Sequence, residues 1–129
     1  MGRKTEPSER PVDWIGSSKK DFMEFPRPVQ RDMGYALGLA QLGGAHPSAK
    51  AWTGQGSGVL ELVEDHDGDT YRAVYLVRFR EVIYVLHAFK KKSTRGIKTP
   101  KPDVELVASR LKLAQEDHKA RYGKRGKGE

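Results

Sequence analysis

Residues 59–92, VLELVEDHDGDTYRAVYLVRFREVIYVLHAFKKK, decide the fold. Three runs rich in Val, Ile, Leu and Tyr are parted by short polar breaks, the pattern of strands rather than helices. The runs are Val59–Glu64, Thr70–Val77 and Val82–Lys90. The first break, Asp65-His66-Asp67-Gly68-Asp69, gathers turn-forming residues and closes a hairpin. Linkers this short favour antiparallel, meandering pairs.

Working outward from this core, Pro11–Ile15 reads as a short first strand. Ser17 or Ser18 suits a helix N-cap, with Asp21 in the first turn. The helix it opens passes through Phe22, Met23 and Phe25 and stops before Pro26. Pro28 fits the first turn of a second helix, whose apolar residues Val29, Met33, Ala36, Leu37, Ala40 and Leu42 recur every three to four positions. Gly43-Gly44 ends it. Residues 45–57 read as a loop rich in Gly, Ser and Ala. Beyond the strands, Ser93–Thr99 reads as flexible and precedes Pro100. A last helix covers Asp103–His118, with Val104, Val107, Leu111 and Ala114 on one stripe.

The expected class is therefore α+β. It comprises an antiparallel sheet of three to four strands, two N-terminal helices and a C-terminal helix, with the helices on one face. The expected limits are a disordered stretch 1–10, a domain 11–118 and a basic flexible tail 119–129. A chain of 129 residues fits one domain with its own core.

Composition narrows the function. There are no cysteines, which rules out disulfides, thiolate nucleophiles and cysteine zinc sites. Met1–Pro11 is polar and lacks the apolar stretch of a secretion signal, and no segment has the roughly 18 apolar residues of a membrane span. A cytoplasmic protein without membrane contact is expected. The net charge is +7. Residues 90–129 hold 13 Lys/Arg against 5 Asp/Glu, while residues 1–89 hold 11 against 12. Such asymmetry is the footprint of a polyanion binder or, more blandly, of a solvated basic helix.

Strand alternation sorts the candidates for chemistry. On the second strand Arg72 shares a face with Val74, Leu76 and Arg78. An unpaired charge cannot sink into a core, so Arg72 points to an open face or pairs with a carboxylate. On the third strand Ile83, Val85, His87, Phe89 and Lys91 share one face, and Tyr84, Leu86, Ala88 and Lys90 the other. At most two of Lys90, Lys91 and Lys92 can serve one site. His87 reads either as a packed residue or as a proton-transfer group. No metal site is expected: counted from Asp65 as an EF-hand loop, the twelfth position is Leu76 instead of a bidentate carboxylate. A phosphate-binding Gly-Lys-Ser/Thr motif is also missing from the sequence.

The segments Trp14-Ile15-Gly16-Ser17-Ser18-Lys19-Lys20-Asp21, Tyr71-Arg72-Ala73-Val74-Tyr75 and Val85-Leu86-His87-Ala88-Phe89-Lys90-Lys91-Lys92-Ser93 resemble the phage-derived, HigB-like branch of the RelE/ParE toxin superfamily. Gly58-Val59-Leu60-Glu61-Leu62 and Gly96-Ile97-Lys98-Thr99-Pro100 extend the resemblance, which covers about residues 12–115. It implies a toxin of a type II toxin–antitoxin system. Many such toxins are ribosome-dependent mRNA endonucleases, in which the ribose 2′-hydroxyl attacks the adjacent phosphate with neither metal nor cofactor. The implied partners are the ribosome, mRNA and a cognate antitoxin, often a helix-turn-helix protein encoded nearby.

By the same resemblance, Arg72 stabilises transition-state charge, Lys91 contacts phosphate, and His87 donates a proton to the leaving 5′-oxygen. Lys90, Lys92 and Lys50 become phosphate-binding neighbours. Leu60 and Leu62 stand where some relatives carry lysines, Lys50 where others carry a carboxylate, and Thr53 where a Lys is common. The general base is thus left open among Lys50, Glu61 and His87, with Glu61 the candidate carboxylate. Two other functions share these features: a ParE-like gyrase inhibitor, and a non-catalytic nucleic-acid-binding phage accessory protein. Fold alone does not choose between them.

Overall fold

The computed structural model describes residues 9–92 and 99–123, with the side chain of Lys92 left out. The expectations for residues 1–8, 93–98 and 124–129 lie outside the described residues. The elements run β1 (Val12–Trp14), α1 (Ser18–Phe22), α2 (Arg27–Gln41), β2 (Lys50–Ala51), β3 (Val59–His66), β4 (Asp69–Leu76), β5 (Ile83–Lys92) and α3 (Lys101–Tyr122). The α+β class holds, with five strands among the described residues instead of three to four, in the order β1-β5-β4-β3-β2. The fifth strand is β2, inside the stretch read as loop, and it pairs Lys50 with Glu61 and Ala51 with Leu60. β1 adds to the other edge, parallel to β5.

The β3–β4 hairpin turns on two residues, Asp67 (φ 48) and Gly68 (φ 84). Both are left-handed, which matches the twist of the flanking strands. Glycine supplies this conformation without steric cost and Asp is among the few other residues that tolerate it. α2 buries Val29, Met33, Ala36, Leu37 and Ala40, as their spacing predicts, whereas Leu42 is exposed. α3 runs four residues past His118, because Arg121 pairs with Asp13 and Asp117 while Tyr122 joins the core margin.

The helices cover both faces of the sheet, not one. Phe22, Phe25 and the α2 stripe pack on Leu62, Tyr71, Ala73, Tyr75, Ile83 and Val85. Val107, Leu111 and Ala114 of α3 pack on Val74, Leu76, Tyr84 and Leu86 of the opposite face. The physical reason is in β4 and β5, which carry apolar side chains at both parities. Such near-continuous runs belong to strands buried on both sides.

A bulge breaks the alternation expected along β5. Val74 pairs with His87 but Tyr75 with Val85, which leaves Leu86 as an extra residue. The Leu86 carbonyl accepts a hydrogen bond from Arg110 Nη1 of α3 at 3.0 Å. Ile83 and Val85 therefore face α1 and α2, while His87, Phe89 and Lys91 face the α3 side. The single face expected for all five is split in two.

Candidate active site

On the α3 side the register sets the candidate residues in rows. Lys50, Glu61, Val74 and His87 form one row across β2, β3, β4 and β5. Val63, Arg72 and Phe89 form the next, and Asp65, Thr70 and Lys91 the one beyond. Directly opposed residues share a face, so Lys50, Glu61, Arg72, His87 and Lys91 stand on the same side of the sheet.

At the centre, Arg72 Nη1 donates to Glu61 Oε1 at 3.0 Å. Their side chains are 17% and 14% exposed. Arg72 thus takes the second of its two expected places, paired with a carboxylate. The pairing is incomplete: Arg72 Nε is buried and has no hydrogen-bond partner among the described residues. A buried donor left this way costs about 1–3 kcal/mol. Glu61 also borders a hollow of about 290 Å³, whose wall includes Ala51, Trp52, Thr53, Thr99 and Val104. A guanidinium with an unspent Nε, paired to a carboxylate that borders a hollow, can bind an oxyanion through its fork, while the carboxylate can take a proton.

Other candidates sit apart. His87 Nε2 is 2.7 Å from Asp103 Oδ1, and its ring stacks on Phe89 at 4.5 Å. It is buried, its Nδ1 has no partner among the described residues, and it does not line the hollow beside Glu61. It ties β5 to the first turn of α3. Lys90 falls on the opposite face, across from Tyr71, with its Nζ 3.6 Å from Asp69. The alternation that brings Lys91 to the Arg72 face takes Lys90, expected beside it, to the opposite face. Lys92 holds the register position opposite Asp69, and its side chain lies outside the described residues.

The profile of the phage-derived Gp49-like proteins matches residues 20–112, which includes every candidate above. The chain belongs to the phage-derived Gp49-like family. That family is associated with RelE-like toxins of toxin–antitoxin systems. No curated protein and no solved structure matches this Gp49-like chain.

Several wall residues of the Gp49-like site escaped the sequence reading. Trp52, 7% exposed, packs with Val59 under the hollow. A lone Trp in a Gly/Ser-rich loop was the only available signal, since a large aromatic seldom stays in solvent. Thr53 had entered only as a position where relatives carry a Lys, and Thr99 only within the Gly96–Pro100 segment; both line the hollow where β2 meets the start of α3. No described helix is long and apolar enough to cross a membrane.

Proposed function

We propose that this Gp49-like chain is the toxin of a toxin–antitoxin pair and cuts mRNA on the ribosome. The observation that carries the reading is the Glu61–Arg72 pair beside the hollow, with the guanidinium Nε unspent. An attacking 2′-oxygen forms a bond to phosphorus as the bond from phosphorus to the 5′-oxygen breaks. Glu61 takes the proton of the 2′-hydroxyl. Arg72 turns its unused donors to the phosphoryl oxygens, where charge accumulates, and Lys50 and Lys91 add positive potential from the flanking rows. The 5′-oxygen receives its proton from water, and the products are a 2′,3′-cyclic phosphate end and a 5′-hydroxyl end.

In this scheme the side chains supply the charge stabilisation, so no metal or cofactor takes part. The partners that follow are the ribosome, mRNA and an antitoxin, a helix-turn-helix protein encoded alongside. One well-placed donor of this kind is worth about 10²–10³ in rate.

The test is induction of the chain in growing cells. Parent protein stops growth and amino-acid incorporation, and Arg72→Ala relieves both. Continued protein synthesis with halted DNA replication, or an Arg72→Ala variant as toxic as the parent, rejects the nuclease reading.

A further inference from the structure

A second hollow, of about 370 Å³, lies away from the Glu61–Arg72 pair and is lined by Asp21, Glu24, Phe25, Tyr71 and residues His87–Lys90 of β5. Four consecutive strand residues alternate between the two faces, so a hollow touching all four reaches the edge of the strand. That edge is open. β1 pairs with β5 only as far as Trp14 opposite Val85, while β5 continues to Lys92. The last carbonyls before the open stretch are already satisfied: Val85 O accepts from Ile15 N and Ser18 Oγ, and Leu86 O from Arg110. Among the described residues, no strand lies alongside His87–Lys92 on this outer edge.

We propose that this edge accepts an extended segment of a partner protein as a sixth strand, one that alternates apolar residues with Lys or Arg. The backbone edge supplies the affinity of strand addition, and the walls supply the choice of side chains. Phe25 and Tyr71, whose rings meet edge-on at 5.0 Å, form an apolar floor. Asp21 and Glu24 stand on the wall, and Lys90, which also lines it, is held by Asp69. In a chain of net charge +7 this groove is locally acidic, so it complements a basic strand. Both described chain ends are engaged elsewhere, Arg10 with the carbonyls of Val77 and Phe79, and Arg121 with Asp13. The proposed occupant is a segment supplied in trans. This inference does not rest on the nuclease reading.

The probes are two synthetic decapeptides, one alternating Val with Lys and one alternating Val with Glu, titrated into the full chain by fluorescence anisotropy. The Val/Lys peptide is expected to bind about tenfold more tightly than the Val/Glu peptide, the combined effect of two partly screened pairs. In the double variant D21N/E24Q that ratio falls to near one. N-methylation of the Val/Lys backbone at residues of one parity abolishes binding, while the other parity is tolerated, because only alternate amides face the strand edge. Hydrogen exchange in the bound parent slows at His87–Lys90. Binding with no preference between the peptides, equal tolerance of both N-methylation patterns, or protection confined to other strands overturns the proposal. So does sedimentation as a dimer that neither peptide dissociates, since the edge would then belong to a second copy of the chain.

Discussion

Replacing Glu61 and Arg72 together separates what the pair does for the fold from what it does for the chemistry. Glu61→Leu strands a guanidinium that cannot shed its proton. Breaking a buried pair costs about 3–5 kcal/mol, and the residual exposure of both side chains, 17% and 14%, places this one at the lower end. Arg72→Met costs less, about 1–2 kcal/mol, because the stranded carboxyl can take up a proton and the orphaned Nε disappears. The double variant removes both charges and the orphan. It should fall within about 1 kcal/mol of the parent, or above it, as apolar replacements of buried pairs do.

For a chain of 129 residues, 1 kcal/mol corresponds to about 4 °C in Tm. Thermal unfolding should thus show drops of about 12 °C for Glu61→Leu and about 6 °C for Arg72→Met, with a shift near zero for the double variant. Toxicity should be lost in all three. Additive losses, with the double variant about 18 °C below the parent, would show that the two side chains do not couple and refute the reasoning.

Three further outcomes follow from particular residues. Gly16 sits at φ +60 with room for a Cβ only 2.8 Å from Arg110 Nε, so Gly16→Ala strains the turn and displaces the clamp on Leu86. Urea unfolding should show a loss of about 1–3 kcal/mol, and an unchanged midpoint would dismiss the clamp. Burial, then the hydrogen bond and charge of Asp32, push the Glu64 carboxyl from 4.5 up to about 7. Its folded form therefore holds a proton that the unfolded form has lost, and stability should decline as pH rises from 4.5 to 7. Glu64→Gln should flatten that slope, and a slope left intact would assign it to other groups. His87→Gln keeps a donor toward Asp103 and should remain toxic if the ring only ties β5 to α3; a folded but harmless variant would restore His87 as the proton donor.

The strands and their pairing were legible because β-rich runs flank a turn that only a hairpin explains. The face assignment was harder. Tyr71, Ala73 and Tyr75 announce one buried face of β4, while Val74 and Leu76 announce the other, and together they called for helices on both sides. Arg72 was legible as an anomaly, a charge among apolar neighbours, and its two permitted environments were the right ones. Its partner was not legible, since Glu61 lies diagonally across a strand pair whose register local sequence does not state. The bulge at Leu86 was equally hidden. Nothing in Val85-Leu86-His87 signals an extra residue, and the stabilising donor, Arg110, comes from a distant helix. That single residue decides which of Lys90 and Lys91 joins the Arg72 face. β2 escaped because two residues cannot display a period.

The most direct measurement is sequencing of transcript ends that carry 2′,3′-cyclic phosphate after brief induction of the parent and of Arg72→Ala. New cyclic-phosphate ends are expected inside reading frames, in step with ribosome position, in the parent and at least about a hundredfold fewer in the variant. Identical end profiles in the two, or growth arrest by the parent with transcripts intact, would contradict the nuclease reading.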